Sequence, residues 1–217
     1  MTNRFGFWAA MAAVVTSVAY GVPQLLQVAG VLPDPWDRIF IFAPSLALAP
    51  SFVLTMAAVH VAASAPWKAF SLGALGVSVM YATLVSIVYV TQLSVVIPHD
   101  IRGEGAAVAF LACCGQGQFL TGVDLLGYTL MSIATLLAAP VFSGRAVRWW
   151  MAGNGILAPF LIAQLAWPSL IYAGALWLIS FPVAMALVAI RFTREPAATV
   201  EVRGRNFDAR LTLDSTG

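Results

Sequence analysis

The stretch FSLGALGVSVMYATLVSIVYVTQLSV, Phe70 to Val95, carries no charged side chain from end to end. A helix rises about 1.5 Å per residue, so this run exceeds the roughly 20 apolar residues that cross a bilayer's hydrocarbon core. In hydrocarbon every backbone N–H and C=O must be paired within the protein, and a helix pairs them within the segment itself. The run therefore predicts a transmembrane helix. Composition extends the reading to the whole chain: 61% of the 217 residues are hydrophobic and 9% are charged, where a soluble domain carries about 25% charged residues. Mean hydropathy is +0.90.

Outward from Phe70, charged or Pro/Gly-rich breaks delimit further apolar runs at Phe5 to Val28, Ile39 to Val61, Phe119 to Phe142, Trp149 to Trp167 and Leu170 to Ile190. The expectation is an all-α polytopic membrane protein. Residues 1–192 would form one six-transmembrane-helix bundle and residues 193–217 a short cytoplasmic tail. Only Pro168-Ser169 separates the last two runs, so they form either a tight hairpin or one long kinked segment, and the hairpin keeps the count even. Ser17-Val18-Ala19 resembles a signal-peptide cleavage site, but the first run is long enough to span and is read as a retained helix.

Loop charge sets the orientation, because cytoplasmic loops carry excess Lys and Arg. With both termini in the cytoplasm, Arg4, Lys68, Arg145, Arg148, Arg191, Arg194, Arg203, Arg205 and Arg210 lie inside and only Arg38 and Arg102 outside. Trp prefers the headgroup zone, and Trp8, Trp67, Trp149 and Trp150 fall at inner boundaries, Trp36 and Trp167 at outer ones. These features point to a cell inner membrane, with the lipid bilayer as the main partner. A net charge of +2, spread along the chain, is too small for the phosphate-neutralising surface that nucleic-acid binding needs.

The longest loop, Pro98 to Gln118, holds an apolar stretch from Ala106 to Cys114 that is too short to cross. It is read as an interfacial or re-entrant helix on the outer surface. Alternation in Val200 to Arg203 and Phe207 to Leu213 fits either a small β-ribbon or a disordered tail. Gly21-Val22-Pro23-Gln24-Leu25-Leu26 and Gly122-Val123-Asp124-Leu125-Leu126 are alike, but the match is too short to establish an inverted repeat.

Asp124 is the one carboxylate inside an expected span, where a charge costs at least ~2.5 kcal/mol on the insertion scale. It either faces protein or water and exchanges protons or binds a cation, or it sits near the headgroups and complements a helix N-terminus. Thr121, Asp124, Tyr128, Ser132 and Thr135 recur at spacings of three and four and so share a helix face. Tyr20, Gln24 and Gln27 on the first helix, Tyr89 and Gln92 on the third, Gln164 on the fifth and Tyr172 on the sixth lie at a similar, outer depth. Two readings fit this convergence. One is an outward-facing pocket for a small solute or lipid-like molecule, with Gln24, Gln92, Asp124, Tyr128 and Gln164 as ligand-binding residues. The other is hydrogen-bond glue between helices, worth roughly 0.6 kcal/mol per contact.

Cys113-Cys114 could form a vicinal disulfide or hold a soft metal, but two small apolar residues in an interfacial helix is the simpler reading. His60 and His99 fall at opposite ends of the membrane and cannot share one haem. Prolines 23, 44, 50, 159 and 182 interrupt spans, and Gly73, Gly76, Gly153 and Gly155 suit close helix packing. The single lysine, Lys68, lies in a loop, and zinc-protease, nucleophile-elbow and phosphate-loop motifs are all missing from the sequence. The expectation is a non-enzyme without a cofactor or metal that binds, senses or transports a small molecule. The alternative is a non-catalytic accessory subunit packed against a membrane protein partner.

Overall fold

A computed structural model describes residues 2–194. Their only regular elements are helices, joined by turns and short irregular stretches, with no strand among the described residues. The expected tail, and the ribbon placed on it, lie outside them. Among the described residues five helices are long and apolar enough to cross a membrane, which makes this a membrane protein in contact with lipid.

Helix α1 spans Thr2–Val28 and α2 spans Trp36–Ala62. Between them Gly30 takes φ +68°. Its N–H reaches the Gln27 carbonyl, and the Val31 N–H reaches that of Leu26 at 2.9 Å. This is the paired-bond stop that a left-handed glycine permits after a helix. Helix α3, Lys68–Thr91, continues through a π-helical turn at Gln92–Val96 into Ile97–Ile101. It ends in the same way at Gly103, with Glu104 N–H on the His99 carbonyl at 2.8 Å. At the opposite end of the bundle Lys68 Nζ donates to the His60 carbonyl, satisfying the end of α2 with a cation.

After α3, Gly105–Leu111 is helical and the chain is then irregular up to α4, Phe119–Ala138. The cysteine pair therefore lies beyond the helical stretch, not within it as expected. Gln92 explains the early stop, since its side chain holds the Leu111 carbonyl and the Cys113 N–H, two groups that would otherwise continue a helix.

The expected span over Trp149 to Trp167 is not one helix. It divides into α5, Arg145–Ile156, and α6, Ala158–Ala163, followed by turns. Pro159 has no N–H to return to the Gly155 carbonyl, and the chain tightens instead through Leu157 N–H to the Asn154 carbonyl at 3.2 Å. The broken segment still runs antiparallel along α4: Gly155 lies against Leu136 and Gly122 against Leu165. Helix α7, Trp177–Arg194, returns along α1, with Gly21 facing Leu178 and Gly6 facing Phe192. Thr2 and Arg194 thus lie at one end of the molecule.

Neighbour follows neighbour around a closed ring: α1, α2, α3, α4, the α5–α6 segment, α7, and back to α1. The ring closes on an apolar centre of Phe52, Met56, Tyr81, Met131, Phe181 and Met185. Large hydrophobics such as Leu25, Phe70, Val79 and Ile179 point outward, as lipid-facing positions require.

Candidate functional site

The expected polar stripe on α4 divides into two parts with different chemistry. Its deeper part bonds to neighbouring helices. Asn154 Nδ2 donates to Thr135 Oγ1 at 3.0 Å, Ser180 Oγ donates to Asn154 Oδ1 at 2.8 Å, and Thr135 returns to its own helix at the Ser132 carbonyl. Asn154 is fully buried and ties α4, α5 and α7 together. Sequence reading passed over it, although an amide between two glycines in an apolar run was the available signal.

The shallower part is organised around aromatic rings. The Tyr128 ring stacks near Tyr20 at 6.3 Å and meets Tyr81 at 6.0 Å and Trp177 at 5.0 Å. Trp177 in turn stacks on Phe181 at 4.8 Å. Tyr81 and Tyr89 reach this cluster because residues 81, 85, 89 and 92 fall on one face of α3. The hydroxyls of Tyr89 and Tyr128 share a hydrogen bond of 2.9 Å.

Asp124 sits above this cluster, one turn into α4. The Tyr89 hydroxyl lies beside its carboxylate, and Tyr20, Tyr81 and Tyr128 lie within electrostatic reach. Asp124 Oδ1 is buried without a hydrogen-bond partner, as are Tyr81 Oη and Trp177 Nε1 in the same cluster. A buried polar atom left unpaired costs roughly 1–3 kcal/mol. Unpaired polar atoms gathered in one place are what a bound water, ion or ligand would satisfy.

A clamped loop roofs the carboxylate. Thr121 Oγ1 accepts from Cys114 N–H and donates to the Gly115 carbonyl, both at 2.8 Å, and Gln118 Oε1 accepts from Gly115 N–H at 2.8 Å. Gln92 Nε2 donates to the Leu111 carbonyl at 2.8 Å, and its Oε1 accepts from Cys113 N–H at 3.2 Å. Cys113 and Cys114 are joined as a vicinal disulfide, and Cys114 is held at φ +80°. A side-chain residue seldom adopts that conformation unless its surroundings impose it. Both sulfurs and a carboxylate oxygen of Asp124 lie within 4.8 Å of one another. No family model, curated protein or solved structure matches this chain. The site is therefore read from its own geometry.

Of the five residues expected to bind a ligand, Asp124, Tyr128 and Gln92 belong to one assembly, the last as a loop clamp. Gln24 bonds instead to Gln27 at 3.3 Å, and Gln27 passes the contact to Asp37 at 2.8 Å, joining α1 to α2. Gln164 donates to its own Phe160 carbonyl at 3.4 Å and packs over Gly174. Tyr172 is largely exposed. Arg38 pairs with Asp34 and Asp100, which fastens the α1–α2 loop to the end of α3.

Proposed function

We propose that this protein is a non-enzymatic, six-pass inner-membrane protein with both termini cytoplasmic, which binds a small cationic or hydrogen-bond-donating solute from the outer side at Asp124. The observation that carries this reading is the unpartnered Asp124 Oδ1 over an aromatic cluster holding two further unpartnered polar atoms. A carboxylate supplies charge, and tyrosine and tryptophan faces attract cations through their quadrupoles. The rings below are closely packed, so a ligand enters from the loop side, where Asp124 remains partly exposed. The Tyr89 hydroxyl, which donates to Tyr128 at 2.9 Å, places a hydroxyl pair beside the carboxylate within reach of a ligand held there. Binding of this kind serves sensing or transport, and the prolines within α1, α2 and α7 supply flexible points for movement. The nine-to-two split of basic residues supports the orientation, and the run of the broken α5–α6 segment along α4 supports six crossings.

Thermal unfolding of the purified protein against inorganic cations and small quaternary and primary amines tests this reading. A ligand at about 100 times its Kd stabilises by about 2.7 kcal/mol. The expected result is a clear rise in Tm with one ligand class, lost in Asp124→Asn while the unliganded Tm is kept. Equal behaviour of the two proteins towards every ligand overturns the reading.

A second reading, a non-catalytic accessory subunit, draws on an open apolar groove of about 600 Å³ lined by Leu46, Pro50, Leu54, Val79 and Ala82 between α2 and α3. A transmembrane helix of a partner would fill it. Co-purification of one stoichiometric membrane protein, lost when Ala82→Trp fills the groove, tests that reading.

A further inference from the structure

We propose that the reduced form of the Cys113–Cys114 pair, together with Asp124, holds a single thiophilic d10 cation, Zn2+, on the outer side of the bundle. This rests on the reading of Asp124 as a binding group and names the ligand class. The three ligand atoms already lie within 4.8 Å of one another. Tetrahedral ligands at zinc–sulfur and zinc–oxygen bond lengths lie about 3.3 to 3.8 Å apart, so the two sulfurs separate once the disulfide is reduced and the carboxylate oxygen closes on them, changes that side-chain rotation supplies.

An independent observation marks the spot as a ligand site: Asp124 Oδ1 is buried and accepts no hydrogen bond from the protein. The backbone around the sulfurs is also fixed in advance. Gln92, Thr121 and Gln118 hold the loop from Leu111 to Gly115 by five hydrogen bonds, and Cys114 is kept at positive φ. Supporting bonds of this kind orient metal ligands. Cys114 is exposed and Cys113 partly so, which gives the ion a path in and leaves a fourth coordination position towards the outside. Two thiolates and one carboxylate form a mixed donor set that suits Zn2+, whereas Cu+ favours sulfur alone.

The chemistry balances in two steps. A dithiol or phosphine reductant gives up two electrons, the S–S bond breaks, and two protons from solvent complete the Cys113 and Cys114 thiols. Zn2+ then displaces both thiol protons to water, forming two Zn–S bonds, and the Asp124 carboxylate adds a Zn–O bond, giving up to water any proton that it carries. Oxidation of the pair removes both thiolates, so occupancy follows the redox state.

The test is zinc content by mass spectrometry, with Co2+ as a spectroscopic probe of thiolate coordination. It uses full-length protein in detergent, reduced with a phosphine or left oxidised, and the variants Cys113→Ser, Cys114→Ser and Asp124→Asn, each checked for native helicity. The expected result is one Zn2+ per reduced chain, under a tenth of that when oxidised, and loss in both serine variants. Asp124→Asn should bind at least about tenfold more weakly with its thiol count unchanged. No uptake by the reduced protein, or equal uptake by Asp124→Asn, overturns the inference. If the inference fails while an amine or hard cation still stabilises in an Asp124-dependent way, the binding reading stands alone; if Asp124→Asn changes neither assay, both fall.

Discussion

Tyr89 on α3 and Tyr128 on α4 meet hydroxyl to hydroxyl at 2.9 Å, directly beneath Asp124. The pair belongs to the aromatic cluster in which Tyr81 Oη and Trp177 Nε1 lack partners, between Asp124 and the satisfied Asn154 bridge. Either hydroxyl can donate, so the pair can follow a change at Asp124 without moving a backbone atom. We predict that Tyr128→Phe costs about 1 kcal/mol or less in unfolding free energy and weakens Asp124-dependent ligand stabilisation at least severalfold. Denaturant titration and ligand-shift measurements on the same sample check the two numbers separately.

Glycine positions give the sharpest packing test. A Cβ on Gly155 would collide with Leu136, including its backbone Cα at 2.9 Å, whereas one on Gly153 meets nothing within 4 Å. Gly155→Ala should therefore destabilise by about 1–3 kcal/mol, and Gly153→Ala should be neutral or slightly stabilising. Equal Tm values for the two variants would contradict the close approach of α5 to α4.

Asn154 bridges Thr135 and Ser180. Interhelical hydrogen bonds in membranes average about 0.6 kcal/mol and reach about 1.7, so Asn154→Leu should lose about 1–2 kcal/mol. Ligand binding at Asp124 should persist, because the bridge lies deeper and makes no contact with the loop. Unfolding titration with a binding control checks both halves of the prediction.

Gln92 governs the loop more than it contacts a ligand. In Gln92→Ala the Leu111 carbonyl and Cys113 N–H lose their partners, and amide exchange over residues 105–118 should accelerate at least tenfold while that of α3 below Gln92 is unchanged. Uniform acceleration along α3 would show instead that the π turn itself depends on this side chain.

Much of the fold was legible in the sequence, since apolar runs such as Phe70 to Val95 leave few alternatives to a spanning helix. The division at Leu157 was legible only in part: Pro159 was read as an interruption within one span and the two nearby glycines as packing residues, and hydropathy is blind to a lost backbone bond in an apolar run. For the site, periodicity placed Asp124 and Tyr128 on one face correctly. It could not tell that Gln24 and Gln164 spend their amides on near neighbours, because depth in the membrane does not specify direction around a helix. The cysteine pair was undervalued for a related reason: its surroundings are made by Gln92 and Thr121, residues distant enough in sequence that only the folded loop brings them together.

Topology follows from the same broken segment. With six crossings, a fluorescent reporter at the C-terminus should fold in the cytoplasm and a periplasmic phosphatase fused after Gly103 should be active. A phosphatase active at both sites would mean that α5 and α6 do not complete a crossing.

The binding role of Asp124 is tested most directly by native mass spectrometry of the gently solubilised protein beside its Asp124→Asn variant. We predict a stoichiometric small adduct, ion or molecule, on the wild type that the variant lacks while the two chains otherwise show the same charge distribution. An identical adduct on both, or bare chains in both after incubation with every cation class tried, would contradict a ligand site at this carboxylate.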